Sequence, residues 1–281
     1  MRISLDGLEF KSSGDMVLKS SVKGLGAPTI RTASSEFSGR DGGFLSSQFY
    51  DMREIVLDLM LLGSNCQTQA ENICQLEAKT GIRQSYPLVI TMATGTQYTT
   101  EVYIVNVESD IESERYMEVQ LTLVAPDPFF YILTGGDDAG WIEQTIEEIS
   151  SGGYETPYIL PVVWSPSSQP TIVTNDTDMP IYPQIILEGK YTNPEIENLT
   201  TGQTIGVNIT TAPGDKLVID MKNRTITLNG GSVLPNKVGD WWGLASGDNS
   251  IVLSTGSGTD TKTGVIRYRP AYTSVYGGVC S

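Results

Sequence analysis

A period-two alternation of apolar and polar residues restricts the fold of this sequence more than any other feature. It is clearest in "REIVLDLMLLG" (53–63) and in "YMEVQLTLVAP" (116–126). Side chains alternate between the two faces of a strand, so both stretches predict strands with one buried face. The predicted inward residues are Ile55, Leu57, Leu59 and Leu61 in the first stretch, and Met117, Val119, Leu121 and Leu123 in the second.

One segment, residues 64–81, departs from this period and predicts a helix. Ser64 and Gln67 have the spacing of a capping box, and Gly81 provides a stop signal. The expected apolar stripe is Cys66, Ala70, Ile73 and Cys74. Since the two cysteines lie about 12 Å apart along a helix axis, no disulfide is expected between them.

The composition changes after "APDPFFYILTGGDDAG" (125–140), where prolines and paired glycines and aspartates predict a connection between domains. Beyond it the chain alternates short strand patterns with Thr, Asn and Gly turns, as in the predicted hairpin at 215–230 with its Asn229-Gly230 turn signal. We therefore predict a mainly β protein of two domains. The second would be a β-sandwich or jelly roll.

The charge and the residue inventory exclude several functions. The 281 residues include 18 Lys and Arg, 33 Asp and Glu and no His, which gives a formal charge of −15. Such a chain lacks the basic face of a nucleic-acid binder, a Ser-His-Asp or Cys-His nucleophile system and any His-ligated metal site. No apolar run approaches the roughly 20 residues of a membrane span, and "MRISLDGLEF" has no signal-peptide core. A soluble chain made in the cytoplasm is expected.

Three further chemistries are weighed and not favoured. A glycosidase needs only two carboxylates, but pairs such as Asp137-Asp138 and Glu147-Glu148 are typical of a solvated acidic surface. The stretch "TNDTDMP" (174–180) lacks the Gly and closing Glu of a calcium loop, and a β-turn explains it equally well. We predict no catalytic residue, metal ligand or cofactor. The candidate glycan contacts are Trp241 and Trp242, of which one is expected to face the core.

The stretch "FSGRDGGFL" (37–45) raises the question of phosphate binding. Its glycine spacing fits neither phosphate-binding fingerprint, no Lys follows, and the next segment reads as a strand. Aromatic residues and Arg on an exposed, irregular segment are instead typical of protein interfaces. The predicted interface lies on a long exposed turn and comprises Phe37, Arg40, Asp41, Phe44, Phe49 and Tyr50.

Several stretches together resemble the distal tail protein family of long-tailed, non-contractile bacteriophages, the siphophage tail components. They occur in the family's order and span most of the chain. The stretches are "GAPTIRTASSEFSGRDGGFL" (26–45), "SYPLVITMATGTQYTTEVYIVNV" (85–107), "LTLVAPDPFFY" (121–131), "NLTTGQTIGVNITTAPGDKLVIDMKNRTITLNG" (198–230), and "WWGLASGDNSIVLS" (241–254) with "VIRYRPAY" (265–272).

The resemblance implies an N-terminal β-sandwich-like ring (belt) domain with one helix, over residues 1–135, and a C-terminal galectin-like β-sandwich, over residues 136–281. The join between them is longer than the family's. A six-fold homohexameric ring would act as a structural, non-enzymatic hub at the tail tip of the virion. It would connect the tail-tube protein to the tail-tip, tail-associated and receptor-binding proteins, without a membrane partner.

DNA would pass through the ring without specific binding. The acidic composition fits a conduit that does not retain DNA. Residues 108–118, "ESDIESERYME", are the candidates for a neutral or acidic inner wall. The alternative from another class is a carbohydrate-binding, lectin-like protein.

Overall fold

A computed structural model describes residues 1–63, 66–79, 83–111, 116–133, 140–148, 169–256 and 263–276. The chain forms two compact units. The first comprises Met1–Ala139 and Ala271–Ser281, and the second comprises Gly140–Pro270. These units differ from the predicted domains because Ala271–Ser281 joins the first unit. As independently folding domains, residues 1–135 and 136–281 stay a prediction.

The first unit contains one described helix and eleven strands, ten of which precede the second unit. The helix is α1 (Cys66–Glu77). The ten strands are β1 (Arg2–Leu5), β2 (Leu8–Phe10), β3 (Met16–Lys23), β4 (Ile30–Glu36), β5 (Gly43–Tyr50), β6 (Arg53–Leu62), β7 (Ser85–Thr91), β8 (Gln97–Ile111), β9 (Tyr116–Ala125) and β10 (Phe130–Ile132).

The second unit is described by eleven strands and one short 3-10 helix, Leu234–Asn236. Its strands are β11 (Ile142–Glu147), β12 (Thr171–Asn175), β13 (Gln184–Glu188), β14 (Glu195–Asn198), β15 (Gln203–Val207), β16 (Lys216–Asp220), β17 (Thr225–Leu228), β18 (Gly231–Ser232), β19 (Lys237–Gly239), β20 (Gly247–Ser254) and β21 (Thr263–Tyr268). The last strand of the chain, β22 (Ala271–Tyr272), lies in the first unit.

The first unit is built on an antiparallel sheet with the order β2-β1-β7-β8-β9-β6-β3, and β10 joins it by pairing with β8. The alternation predicted for residues 53–63 and 116–126 is confirmed, since all eight predicted inward residues are buried. They belong to one core cluster with residues of β1, β7 and β8. In the register of β6 and β9, Leu57 lies opposite Leu121 and Leu59 opposite Val119, so one face of this pair is continuously apolar.

The predicted helix is present, but its predicted apolar stripe is only partly correct, since Ile73 packs against the core. Ala70 and Cys74 are exposed, whereas Gln69, Asn72 and Leu76 are buried. The side-chain amide of Asn72 donates a hydrogen bond from Nδ2 to the Leu62 carbonyl oxygen at the end of β6 (3.2 Å). This bond accounts for a polar residue on the packed face of the helix. Ser64 and Gly81, the predicted start and stop signals, lie outside the described residues.

The second unit is a β-sandwich. One sheet has the order β11-β21-β13-β16-β17-β18, the other β12-β20-β14-β15-β19, and a single core cluster draws residues from both. The predicted hairpin at 215–230 is confirmed as β16 and β17. Asn229 and Gly230, with φ of 49° and 83°, form the two-residue turn from β17 to β18, as expected for a type I′ turn.

Candidate assembly interface

Strands β4 and β5 form a two-stranded hairpin that pairs with no other strand among the described residues. Residues 37–42 connect the two strands. We call residues 30–50 the arm. Every described side chain of β4 is exposed, and most of those of β5 are too. The stretch that raised the question of phosphate binding (37–45) therefore comprises the tip of a hairpin and the first three residues of β5, so the predicted strand begins within it.

The tip is closed by local contacts. The Phe37 amide donates a hydrogen bond to the Gly42 carbonyl (3.1 Å), and Gly39 and Gly42 take positive φ angles of 77° and 94°. The Arg40 guanidinium lies over the Phe37 ring, 3.9 Å from its centroid. The rings of Phe37 and Phe44 are 5.9 Å apart. Arg40 is thus held by an aromatic face of its own tip.

The prediction of a long turn carrying all four aromatic residues is wrong in extent. Only Phe37 lies in the turn, and Phe44, Phe49 and Tyr50 lie on β5. At Gly43, where this strand begins, the two backbones approach closely: a Cβ atom at this position would stand 2.5 Å from the Ser35 carbonyl oxygen. A glycine-rich stretch can thus permit close strand pairing as well as a turn.

Large apolar side chains lie on both faces of the arm. Directly paired residues share a face of a hairpin, and Arg31 pairs with Phe49 while Ser35 pairs with Phe44. Ile30 and Leu45, the partner of Ser34, lie on the opposite face. The exposed fractions of these apolar side chains are 52% for Phe44, 60% for Phe49, 53% for Ile30 and 62% for Leu45. A two-sided apolar surface of this kind is typical of an interaction site.

The six predicted interface residues are distributed along the arm. Arg40 and Asp41 are exposed at the tip, Phe44 and Phe49 are exposed on β5, and Phe37 is half-buried beneath Arg40. Tyr50 lies at the base of the arm, where its ring packs edge-on against Phe129 at 5.7 Å between centroids. Their role in a subunit interface stays a prediction.

Arg53 organises the base of the arm. It is 2% exposed and donates hydrogen bonds to four backbone carbonyls: Nη1 to Gly24 (2.6 Å) and Gly26 (2.5 Å), Nε to Pro128 (2.7 Å) and Nη2 to Thr273 (2.6 Å). We call this group the Arg53 clasp. Burial lowers the pKa of the Arg53 guanidinium to about 10, against the opposing effect of Asp127, so the group remains charged at neutral pH.

The C-terminal segment, residues 271–276, is the most distant contributor to this region. Strand β22 pairs with β10, with Phe130 opposite Tyr272. The Val275 amide donates to the Leu25 carbonyl (3.2 Å), and the Val275 side chain is fully buried in the first unit's core. Sequence reasoning missed this segment and Arg53, because their contacts run to backbone carbonyls that no sequence pattern marks.

The solvent face of β6, β8 and β9 is acidic. Asp58, Glu108, Asp110 and Glu118 line a shallow depression with Lys19, which forms an ion pair with Glu118. Glu108 and Asp110 are exposed, and residues 112–115 of the predicted inner-wall stretch lie outside the described residues. The inner-wall assignment stays a prediction.

The two tryptophans of the candidate glycan contact differ in how far they are buried. Trp242 is 1% exposed and belongs to the second unit's core, so it offers no face to a glycan. Trp241 is partly exposed, with the Lys237 Nζ atom 5.4 Å from its ring centroid. Neither lies in a strand, and one faces the core as predicted. Glycan contact by Trp241 stays a prediction.

The stretch 174–180 forms a locally bonded turn. The side-chain Oδ1 atom of Asn175 accepts hydrogen bonds from the Thr177 backbone amide (3.0 Å) and hydroxyl (2.8 Å). Asn175 is therefore occupied by its own loop. Across the described ranges, no group of three His, Cys, Asp or Glu side chains is placed to hold a metal ion.

The sequence of residues 154–272 matches the family model described as "Siphovirus-type tail component, C-terminal domain". Residues 154–272 belong to the siphovirus-type tail component family. The match covers most of the second unit and continues into β22. The resemblance to siphophage distal tail proteins is thereby confirmed through this C-terminal part of the chain.

One solved structure extends the likeness in fold to the first unit. The crystal structure of SPP1 Dit (gp 19.1), described as a paradigm of hub adsorption apparatus in phages that infect Gram-positive hosts, aligns with a TM-score of 0.69 at 14% identity. The alignment covers 96% of this chain and 98% of that one, so the two share a fold. A chain of the phage P2 baseplate in its activated conformation with Ca aligns with a TM-score of 0.47 at 10% identity, covering 98% of each chain.

No curated protein matches this chain in sequence. The mainly β architecture with one helix, predicted from the sequence, is confirmed in the described residues. None of their helices has both the length and the apolar character needed to cross a membrane.

Proposed function

We propose that this protein is a structural hub of a siphophage tail tip. Six copies form a ring that joins the tail tube to the tail-tip and receptor-binding proteins and lets DNA pass. The observation that carries the proposal is the arm, whose two faces both expose large apolar side chains. A hairpin that only completed its own subunit would bury one of these faces against its own core.

The family match and the shared fold support this proposal. The family model describes a siphovirus-type tail component, and SPP1 Dit is described as a hub of an adsorption apparatus. A hub must contact copies of itself and at least one different protein. The arm has the surface for this, with Phe44 and Phe49 on one face and Ile30 and Leu45 on the other. Aromatic residues with a nearby Arg are also the side chains that dominate binding energy at interfaces.

The acidic depression on β6, β8 and β9 supports the passage of DNA without binding. Four carboxylates surround one Lys there, and the chain as a whole carries a formal charge of −15. A surface of this sign repels the phosphate backbone at short range and is screened at distances beyond about 8 Å in physiological salt. DNA would then slide past the ring without being retained.

The proposed role requires no catalytic reaction. The chain contains no His, and at the arm tip Arg40 stacks on the Phe37 ring while Asp41 is exposed. The second unit is proposed to be a galectin-like β-sandwich. Trp241 is partly exposed, so glycan binding by this side chain, as the lectin-like alternative requires, can be tested by mutation.

Assembly of the purified chain tests this function. Light scattering with electron microscopy should show a ring of six copies. The double variant Arg40→Ser with Phe44→Asp should remain monomeric, while its circular dichroism spectrum matches that of the parent chain. A matched control is Lys222→Ser with Tyr182→Asp, which makes the same changes of charge at exposed positions of the second unit. This control should assemble normally.

Either of two results would contradict the proposal. One is a parent chain that stays monomeric at all concentrations up to about 100 μM, well above the Kd expected for a standard-size interface. The other is a set of intact rings from the Arg40 and Phe44 variant.

A further inference from the structure

The base of the arm contacts two other parts of the first unit. One is the chain just before the second unit, and the other is the chain just after it. The arm is entered through residues 24–29 and left through residues 51–53. At its base the Asp51 amide donates to the Thr29 carbonyl (2.8 Å), which joins the two ends. The Arg53 clasp then connects this base to Pro128, on the way to the second unit, and to Thr273, on the way back.

Contacts beyond the clasp reinforce the same connection. Tyr50, at the end of β5, packs edge-on against Phe129. The Leu25 carbonyl, just before the arm, accepts hydrogen bonds from the Val275 amide and from the Ser274 hydroxyl, both at 3.2 Å. The C-terminal segment therefore contacts the chain on the entry side of the arm directly, and on the exit side through Arg53.

The contacts of the C-terminal segment are buried and specific. Val275 is fully buried in the first unit's core, and Tyr272 packs edge-on against Tyr98 at 6.0 Å between ring centroids. Removing the segment would leave a gap at Val275. It would also leave Arg53 with one fewer acceptor in a site that excludes water. The remaining groups at the base of the arm would then rearrange or become hydrated.

We propose that docking of the C-terminal segment fixes the base of the arm, so that the arm is held ready for assembly only when residues 271–276 are in place. Since these residues follow the second unit, the chain completes the base of the arm only after the second unit has been synthesised. A chain lacking a returned C-terminal segment would keep its main sheet but present a mobile arm. The effect on assembly rests on the proposed function of the arm, whereas the effect on the base of the arm does not.

Hydrogen exchange and assembly, measured on the full chain, test this coupling. The variant Val275→Asp places a carboxylate where the core admits only an apolar side chain, which forces the segment to undock. The matched control is Tyr276→Asp, the next residue, which makes the same charge change on a side chain that is 55% exposed. The reporting amide is that of Asp51, and the reference amides are those of Leu57 and Leu121 in the sheet.

In Val275→Asp we expect exchange at the Asp51 amide to become at least about 10-fold faster, with Leu57 and Leu121 unchanged, and the assembly Kd to rise at least about 10-fold. Tyr276→Asp should match the parent chain in both measurements. If Val275→Asp opens the whole sheet, Arg53→Lys decides the question, because it keeps the charge and Val275 but loses most of the donors of the clasp. The same exchange pattern is expected from it.

The two proposals fail in different ways. An unchanged Asp51 amide in a variant whose Val275 segment has undocked would overturn the coupling, even if the arm-tip variant proved that the arm drives assembly. Conversely, if the parent chain does not assemble but Asp51 exchange accelerates as expected, the coupling within the first unit stands and the hub function fails.

Discussion

Gly24 packs so closely against the backbone of Glu54 that a Cβ atom on Gly24 would stand 2.0 Å from the Glu54 carbonyl oxygen. The close approach places the Gly24 carbonyl within 2.6 Å of Arg53 Nη1, and Gly24 also has a positive φ of 86°. Only glycine satisfies both requirements without strain. The position of this residue before the arm makes it a sensitive probe of the arm base.

We therefore expect Gly24→Ala to destabilise the first unit by about 2 kcal/mol or more, since strain and a backbone clash combine. Urea unfolding followed by circular dichroism measures the change. Gly26→Ala is the matched control, because no atom lies within 4 Å of the added methyl group. An equal loss of stability in the two variants would contradict the role given to the contact between Gly24 and Glu54.

Charge reversal on the acidic face should create DNA retention. We expect assembled Glu108→Lys with Asp110→Lys to bind duplex DNA, and the parent assembly to bind none at physiological salt. Because counterion release drives such binding, the affinity should fall by roughly 10³-fold or more between about 50 and 200 mM salt if six or more phosphates are contacted. Fluorescence anisotropy at several salt concentrations measures this.

The control for this experiment is Glu143→Lys with Glu147→Lys, which makes the same charge change at exposed positions of β11 in the second unit. If the control binds DNA as tightly as the variant of the acidic face, the face has no special relation to DNA. Tight binding by the parent assembly would contradict the prediction outright.

The second unit should fold without the first. Its core cluster is drawn entirely from residues 146–268, so we expect residues 140–270 to unfold cooperatively. Adding residues 271–281 should change the free energy of unfolding by less than about 0.5 kcal/mol, because their described contacts lie in the first unit. Calorimetry of the two fragments makes the comparison, and a non-cooperative transition would contradict it.

The isolated second unit should not bind host cell-wall polysaccharide more tightly than about 1 mM, or about −4 kcal/mol. Titration calorimetry provides the measurement. Tighter binding that disappears in Trp241→Ala and persists in Tyr182→Ala would support the lectin-like alternative. Both side chains are aromatic and at least partly exposed, so the pair separates a specific contact from a general loss of surface.

Asp215 should report on the stability of the second unit in acid. Its carboxylate accepts hydrogen bonds from the Ala212 amide (2.7 Å) and the Asn229 side chain (2.8 Å), which lower its pKa below the ordinary value of 3.8. The unfolded state then binds more protons at acid pH. The stabilising contribution is therefore complete above the ordinary pKa and is lost as the pH falls through the folded-state pKa.

Carboxyl NMR of residues 140–270 gives the pKa of Asp215 directly, and a value at or above 3.8 would contradict the prediction. In Asp215→Asn, the loss of stability between about pH 5 and pH 2 should be smaller than in the parent. The exposed Asp240→Asn is the comparison variant.

Strands were easier to predict here than the helix face or the arm. In β6 and β9 an alternating pattern coincides with one buried face, so the sequence carries the whole signal. In α1 the packed face includes Gln69 and Asn72, and the burial of Asn72 depends on a carbonyl of β6 that periodicity cannot show. Tertiary hydrogen bonding thus overrode the apolar pattern.

The interface residues were recognisable by type but not by conformation. Aromatic side chains beside Arg40 indicated a contact surface. The sequence did not show that the segment divides into a short tip and a strand at Gly43, where the backbone comes close to Ser35. The contact of Arg53 with Thr273 spans 220 residues and ends on a backbone oxygen. A carbonyl is common to all residue types, so no motif could have located it.

Strands β10 and β22 are antiparallel neighbours, with Tyr131 opposite Ala271. For the first unit, the whole of Gly140–Pro270 is therefore the loop of a β-hairpin. A loop whose two ends are adjacent can be exchanged for another folded domain at little entropic cost, because closure entropy grows only slowly with loop length. Replacement or enlargement of the second unit during evolution would thus leave the strands of the first unit unchanged.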